Sequence, residues 1–286
     1  MTTGSGPSAR TTVNSRQRRP LRQTVQRRPT RSIAASSSGS NGFTVLKIED
    51  CHSGPVTVWL MTQPEQSRIE APGPRHVAAT AFIDAGHPDI RAFAERSVAG
   101  ATTDRERISR LFTAVRDEIR YDPYRISHDP HDYVASNVIS QGAAFCVPKA
   151  VVLTAAARSI GTPARLGFSD VQNHLQSPKL AERMGTDVFI FHGYSELYVD
   201  GAWRKATPAF NAELCERFGV PPLTFDGSAD ALLHPFSADG SAYMEYIRDR
   251  GVYTDLPLGT ILEAFASAYP EFGNDQATVD DPAFSA

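Results

Sequence analysis

The apolar pattern of this chain changes period once, from helical to strand-like, and that change constrains the fold more than any other feature. Pro88 opens a helix running to about residue 98. Thr103-Asp104-Arg105-Glu106 then forms a capping box, in which the Thr103 hydroxyl accepts from the Glu106 amide while Glu106 reaches back. Behind it Ile108, Leu111, Phe112, Val115 and Ile119 recur at helical spacing, so their face belongs to the core. A short helix is expected at 135–141, ended by Gly142, and a longer one from Cys146 to about Ser159, with Gly161 as its stop. From residue 164 the pattern turns strand-like. Residues 164–168 and 188–199 read as strands, Asp200-Gly201 is a hairpin turn, and 202–206 returns as the partner. Helices followed by a strand meander imply an α+β fold rather than alternating βαβ units.

Composition sets the outer limits. Of 286 residues, 41% are hydrophobic and 21% charged, which suits a soluble globular domain with appendages. Residues 1–42 hold eight arginines and no acid, leaving 21 of the 29 basic groups against all 32 acidic ones, a formal −11 for the remainder. An acidic body argues against nucleic-acid binding by the folded part. The arginine-rich segment has too few large apolar groups to offset its ordering entropy and is expected to be disordered. Its composition suits a solvated extension, an organelle transit peptide or a tail for an acidic partner. The expected division is 1–42 as tail, 43–100 as two strands and a helix packing on the core, 101–211 as the core, and 212–286 as a loop-rich extension with one helix near 258–269. Phe43-Thr44-Val45-Leu46-Lys47-Ile48 and Val56-Thr57-Val58-Trp59-Leu60 supply the early strands. No apolar run has the length of a membrane span and the N-terminus has no apolar signal core, so the cytoplasm is the expected location and no membrane partner is expected. Cys51, Cys146 and Cys215 are too few and too irregular for a disulfide framework, and no CxxC pair suggests zinc. Nothing resembles a phosphate loop, a nicotinamide fingerprint or a calcium loop, so no cofactor and no metal are expected.

Two positions carry chemistry. Cys146 sits in the first turn of its helix, where free amides and the helix dipole favour a thiolate by about 0.3–1 kcal/mol. Pro148 suits that turn, because its missing donor costs little there, and Lys149 adds positive charge. Free cysteine is equally often a small buried hydrophobe, and spacing alone does not separate the two readings. His192 lies in a strand where residues 192, 194, 196 and 198 share one face, so His192, Tyr194 and Glu196 point the same way. Such a polar trio suits a cleft where an imidazole takes a thiol proton and returns it to a leaving group, though a lone histidine is more often a satisfied structural one. His174 and His234 are rivals that lie in no clear regular element.

Cys146 at a helix start, the run from Ala155 closing on Gly161-Thr162-Pro163-Ala164-Arg165, His192-x-Tyr194-x-Glu196, Asp200-Gly201-x-Trp203 and Thr207-Pro208 occur in an order that resembles the core of the transglutaminase-like superfamily, in a bacterial-type single-domain form. Val115 to Tyr121 also resembles the helix that precedes the nucleophile there, and the likeness covers roughly residues 103–211. The resemblance implies a papain-like α+β fold, with N-terminal helices packed on an antiparallel meander. It implies Cys146 as nucleophile towards an acyl carbon, His192 as general base, and a thioester resolved by water or an amine. The substrate would be a peptide, an amide or an acyl thioester, including one borne by an acyl carrier protein.

The chain departs from that pattern at one point. An aspartate usually follows the tryptophan by four residues and orients the histidine; here that position is Thr207. Thr207 itself, Asn211 as an amide in the papain manner, Glu196 and Asp226 are the candidate replacements, with Asn211 the tentative third member. The Cys146 amide is the expected oxyanion donor, with Gln141 and Tyr194 as weaker side-chain candidates. Arg165 is expected to pair with Asp170 or Glu196. Tyr121 and Tyr124 either line the cleft or pack, and Cys51 and Cys215 read as inert. Within this chemistry stand a peptidase or amidase, a cross-linking transferase and a carrier-dependent amide synthase. Outside it stands a degenerate domain that binds without catalysing.

Overall fold

The computed structural model describes residues 70–174, 176–233, 244–270 and 281–284, together with the backbone of three strands at 33–36, 44–50 and 54–60. The chain divides into two compact units. The smaller is a three-stranded antiparallel sheet, β1 (Ile33–Ser36), β2 (Thr44–Asp50) and β3 (Gly54–Leu60), in that order. Val45 pairs with Trp59 and Ile48 with Val56. Two expectations change here. The presumed tail of 1–42 contains a strand, because Ile33-Ala34-Ala35 is a short apolar island that pairs its backbone with β2. The presumed block 43–100 also divides, because β2 and β3 satisfy one another's backbone and group with β1, while the helix after Pro88 belongs to the other unit.

In the larger unit, α1 (Pro88–Ser97) starts on Pro88 with the His87 imidazole accepting the Asp89 amide, and α2 (Asp104–Glu118) starts on Thr103, whose hydroxyl accepts the Glu106 amide at 3.2 Å. The reach-back of Glu106 goes one residue further than expected, to the amide and hydroxyl of Thr102 at 2.7 and 2.9 Å. Ile108, Leu111, Phe112 and Val115 are buried on the inner face of α2. The strand β4 (Arg120–Tyr121) pairs in parallel with β5 (Ala143–Ala144) across α3 (Ala135–Gln141), which ends on Gly142 at φ 66°. That short bridge places the next residues at the start of α4 (Cys146–Ser159). Every residue of α4 from Cys146 to Arg158 is buried, as expected of a helix enclosed on all sides.

The sheet follows. β6 (Ala164–Asn173), α5 (Pro178–Met184), β7 (Val188–Val199) and β8 (Ala202–Ala206) lead through α6 (Ala212–Arg217) to β9 (Met244–Tyr253) and α7 (Leu258–Ala268). Asp200 and Gly201 both take positive φ, 50° and 80°, as a two-residue hairpin turn requires. The order is β8-β7-β6-β9, antiparallel throughout, so the α+β architecture stands. β9 lies in the region expected to be loop-rich and completes the sheet beside β6. The helix α4 packs on the face of β7 that carries Gly193, Ser195 and Leu197. A Cβ on Gly193 would stand 2.9 Å from the Val147 Cα, so only glycine permits this approach, and the Ser195 hydroxyl donates to the Ala150 carbonyl at 2.9 Å. Among the described residues no helix is long and apolar enough to cross a membrane.

Candidate active site

Cys146 is the first residue of α4, and its cap residue Phe145 makes no side-chain cap, which leaves the first-turn amides free. The Val147 amide and the Gly193 amide of β7 both point at the sulfur. The close approach that Gly193 allows thus sets the nucleophile candidate against the residue next to His192. Tyr246 of β9 closes the group. Its ring stands edge-on to His192 with centroids 6.2 Å apart, its hydroxyl accepts the Leu233 amide at 3.3 Å, and it lies within electrostatic reach of Cys146. Tyr269 of α7, whose hydroxyl accepts the Ile190 amide at 2.7 Å, also lies within the electrostatic reach of Cys146.

Burial dominates the titration of the pair. It pushes the Cys146 thiol up to about 11, against the pull of the Gly193 and Val147 amides, and drives His192 down to about 4. The rise from 9.0 to about 11 corresponds to roughly 3 kcal/mol, which exceeds the roughly 0.3–1 kcal/mol that a helix start supplies. Both groups are therefore neutral near pH 7, and the expectation that position alone makes Cys146 a thiolate gives way to desolvation.

Strands β6, β7 and β8 carry three successive cross-strand rows. Arg165 of β6 stands opposite Glu196 of β7, which stands opposite Lys205 of β8. Next come Gly167 and Tyr194, with Thr207 one step beyond the last paired residues of β8, and then Ser169 and His192. The Tyr194 ring crosses Gly167 so closely that a Cβ there would lie 2.2 Å from Cε2, and its hydroxyl comes beside Ser169. At the far end of β7, Phe191 adopts φ 52°, costly for a bulky residue. Asp170 accepts the Phe191 amide at 3.0 Å and is held by Arg250 through two bonds of 2.8 Å, while the Arg250 guanidinium lies 4.5 Å from the Phe191 ring centre. This clamp holds the bulge that ends the regular register at His192.

Several expected residues lie elsewhere. Gln141 is exposed and donates to Asp132 at 2.8 Å, so it is no oxyanion donor in this arrangement. The Asn211 amide oxygen accepts the Tyr121 amide at 3.1 Å, holding β4 rather than the imidazole. Glu196 binds Arg165 at 2.6–2.7 Å, and Asp226 caps Ser228 at 2.6–2.8 Å, so neither orients His192. Lys149 faces away from the sulfur and donates to the Arg116 and Ile119 carbonyls at 2.8 and 2.5 Å, closing the C-terminus of α2; burial there lowers it to about 7. Tyr121 packs edge-on against Phe210 and Tyr124 donates to Asp281 at 2.7 Å. Cys215 is buried and pushed up to about 11, His174 is exposed, and Cys51 and His234 lie outside the described residues. Tyr246 and Tyr269 escaped the sequence reading because each lies in a late segment with no motif around it. Among the described residues no three His, Cys, Asp or Glu side chains group to hold a metal ion.

The fold is α+β, with packed helices on one antiparallel sheet and the helix-start thiol against the strand that carries His192. Residues 91–208 match the family model for the transglutaminase-like superfamily. The match makes a cysteine-dependent enzyme the kind of protein the core supports. No curated protein sequence matches the chain significantly. Among solved structures, a proposed cysteine protease from Cytophaga hutchinsonii is 12% identical with a TM-score of 0.39, over 79% of this chain and 74% of that one. Red sea bream transglutaminase is 11% identical with a TM-score of 0.31, over 66% of this chain and 43% of its own. A proposed protease from Parabacteroides distasonis is 11% identical with a TM-score of 0.30, over 61% of this chain and 35% of its own. The chain thus spans well under half the length of the last two.

Proposed function

We propose that the protein transfers or hydrolyses acyl groups through a thioester on Cys146, with His192 as the general base and water or a small amine as acceptor. The observation that carries this reading is the Gly193 amide at the Cys146 sulfur, which sets the thiol beside the histidine strand. Because both groups rest neutral, His192 takes the thiol proton as the sulfur attacks the acyl carbon. The bond from that carbon to the leaving nitrogen or sulfur then breaks, and His192 returns the proton to the leaving group. Water or an amine attacks the thioester, His192 takes its proton, and the sulfur leaves and is reprotonated. The Cys146 amide is the oxyanion donor in this scheme.

The experiment is intact-mass measurement after mixing the protein with a peptide amide and, separately, with an acylated carrier protein. An acyl adduct is expected on the parent and absent from Cys146→Ala. Loading from peptides marks an amidase or peptidase, and loading only from the carrier marks an amide synthase. An adduct that persists in Cys146→Ala sinks the reading. One observation favours a second reading, a domain that binds without catalysing: burial alone moves His192, and no charged side chain does. Failure of both acyl donors to load Cys146, with one still binding, would support that reading.

A further inference from the structure

The position where the family carries an aspartate is Thr207, and the structure shows what stands there instead. His192 Nε2 is buried and finds no hydrogen-bond partner among the described residues; Thr207 Oγ1 is buried with the Tyr246 hydroxyl beside it, and the Tyr194 hydroxyl and Ser169 Oγ are buried beside one another on the same sheet face. Buried polar atoms are nearly always satisfied, so the His192 nitrogen calls for an explanation. Register supplies the geometry. The paired register of β7 and β8 ends at Ser195–Ala206, and its continuation by one step sets Thr207 opposite Tyr194 and diagonal to His192. Diagonal positions on adjacent strands lie roughly 7–8 Å apart at the backbone. Thr207 Oγ1 and His192 Nε2 make no direct bond, and two successive hydrogen bonds through one water span about 5.5 Å. Tyr246 bounds the same space, with its ring against His192 and its hydroxyl beside Thr207.

We propose that Thr207 is a positioning residue that orients His192 through a single buried water, seated between Thr207 Oγ1 and His192 Nε2 beneath Tyr246, in place of a direct carboxylate. The site is polar and enclosed, as a buried water with about three partners requires. The proposal deepens the reading of His192 as general base and rests on it.

The test uses the full-length protein, with p-nitrophenyl acetate as acyl donor and the nitrophenolate burst as readout, alongside the ¹⁵N resonance of His192 Nε2. Thr207→Val keeps shape and removes the hydroxyl. It is expected to shift the Nε2 resonance and to slow acylation by about ten-fold, with the Michaelis constant little changed. Thr207→Ser is expected to restore both. Thr207→Val with the parent's resonance and burst rate overturns the proposal while leaving His192 as base. A burst unchanged in His192→Ala overturns the general-base reading instead; the Nε2 resonance then still decides, on its own, whether Thr207 holds the ring. If Thr207→Val does not fold, a Thr207→Ser resonance and burst equal to the parent's support the proposal, and a Thr207→Ala resonance equal to the parent's overturns it.

Discussion

Two ends of one sheet face treat buried polarity in opposite ways. At the Arg165 end every charge is answered. Arg165 binds Glu196 at 2.6–2.7 Å and Glu70 at 3.2 Å and stacks on Trp203 at 4.2 Å, while the Trp203 indole donates to the Glu70 carbonyl at 2.7 Å. In the next two rows, His192, Tyr194, Ser169 and Thr207 present neutral buried polar atoms with no charged partner; Tyr194 lies beside Ser169 and Thr207 beside Tyr246, and His192 Nε2 has no partner among the described residues. The strands, the face and the degree of burial are the same. A buried ion left alone is prohibitively costly, so the charged end is paired and rigid. Neutral hydroxyls and an uncharged imidazole tolerate water or a substrate as partner.

His192→Ala would break this comparison most sharply. It should lower acylation by about 10²- to 10⁴-fold and leave the fold intact, as followed by burst kinetics beside a urea titration. An equal loss of stability and activity would mean that both ends are structural. Glu196→Gln should act in reverse, removing about 3–5 kcal/mol of stability by leaving Arg165 short of its main partner. Chemical denaturation would register this, and a change within 1 kcal/mol would mean that Glu70 suffices.

Acid sharpens the contrast. His192 is buried neutral, so its folded pKa, about 4, lies below its unfolded value of 6.5. Its stabilising contribution is complete above that unfolded value. It is lost as pH falls towards 4, by roughly 3 kcal/mol. The neighbouring titratable groups are Cys146, Tyr194 and Tyr246, all with raised pKa values and all uncharged through that window. Denaturation curves at pH 7 and pH 4.5 should converge in a His192→Phe protein, and an undiminished slope in that variant would place the acid sensitivity elsewhere. The smallest effect belongs to Gln141→Ala, for which the exposed bond to Asp132 predicts an acylation rate within about two-fold of the parent, consistent with surface substitutions in general. A hundred-fold loss would return Gln141 to the oxyanion hole.

Local signals foretold local structure well. The Thr103 cap, the apolar spacing behind it, the Asp200-Gly201 turn and the helix starting at Cys146 are each decided within a few residues, by hydrogen-bond geometry and side-chain period. The shared face of His192, Tyr194 and Glu196 follows from strand alternation in the same way. Partner choice was legible for Arg165, expected on Asp170 or Glu196 and found on Glu196, but not for the polar residues around Cys146. Lys149 follows Cys146 by one helical turn, yet it serves the end of α2, because a lysine buried among carbonyls needs those acceptors. Asn211 and Gln141 have suitable chemistry but face Tyr121 and Asp132.

The sequence by itself determined the helices-then-meander order, the helix-start thiol, the strand histidine and the threonine where a carboxylate is usual, because each is a short-range pattern of residue types. Only the tertiary structure decided that Gly193 brings α4 onto β7, that β9 returns from a distant segment to lay Tyr246 against His192, and that burial holds both reactive groups neutral. Register between strands far apart in the chain, and the dielectric around a side chain, depend on the whole core closing at once; no window of sequence contains them.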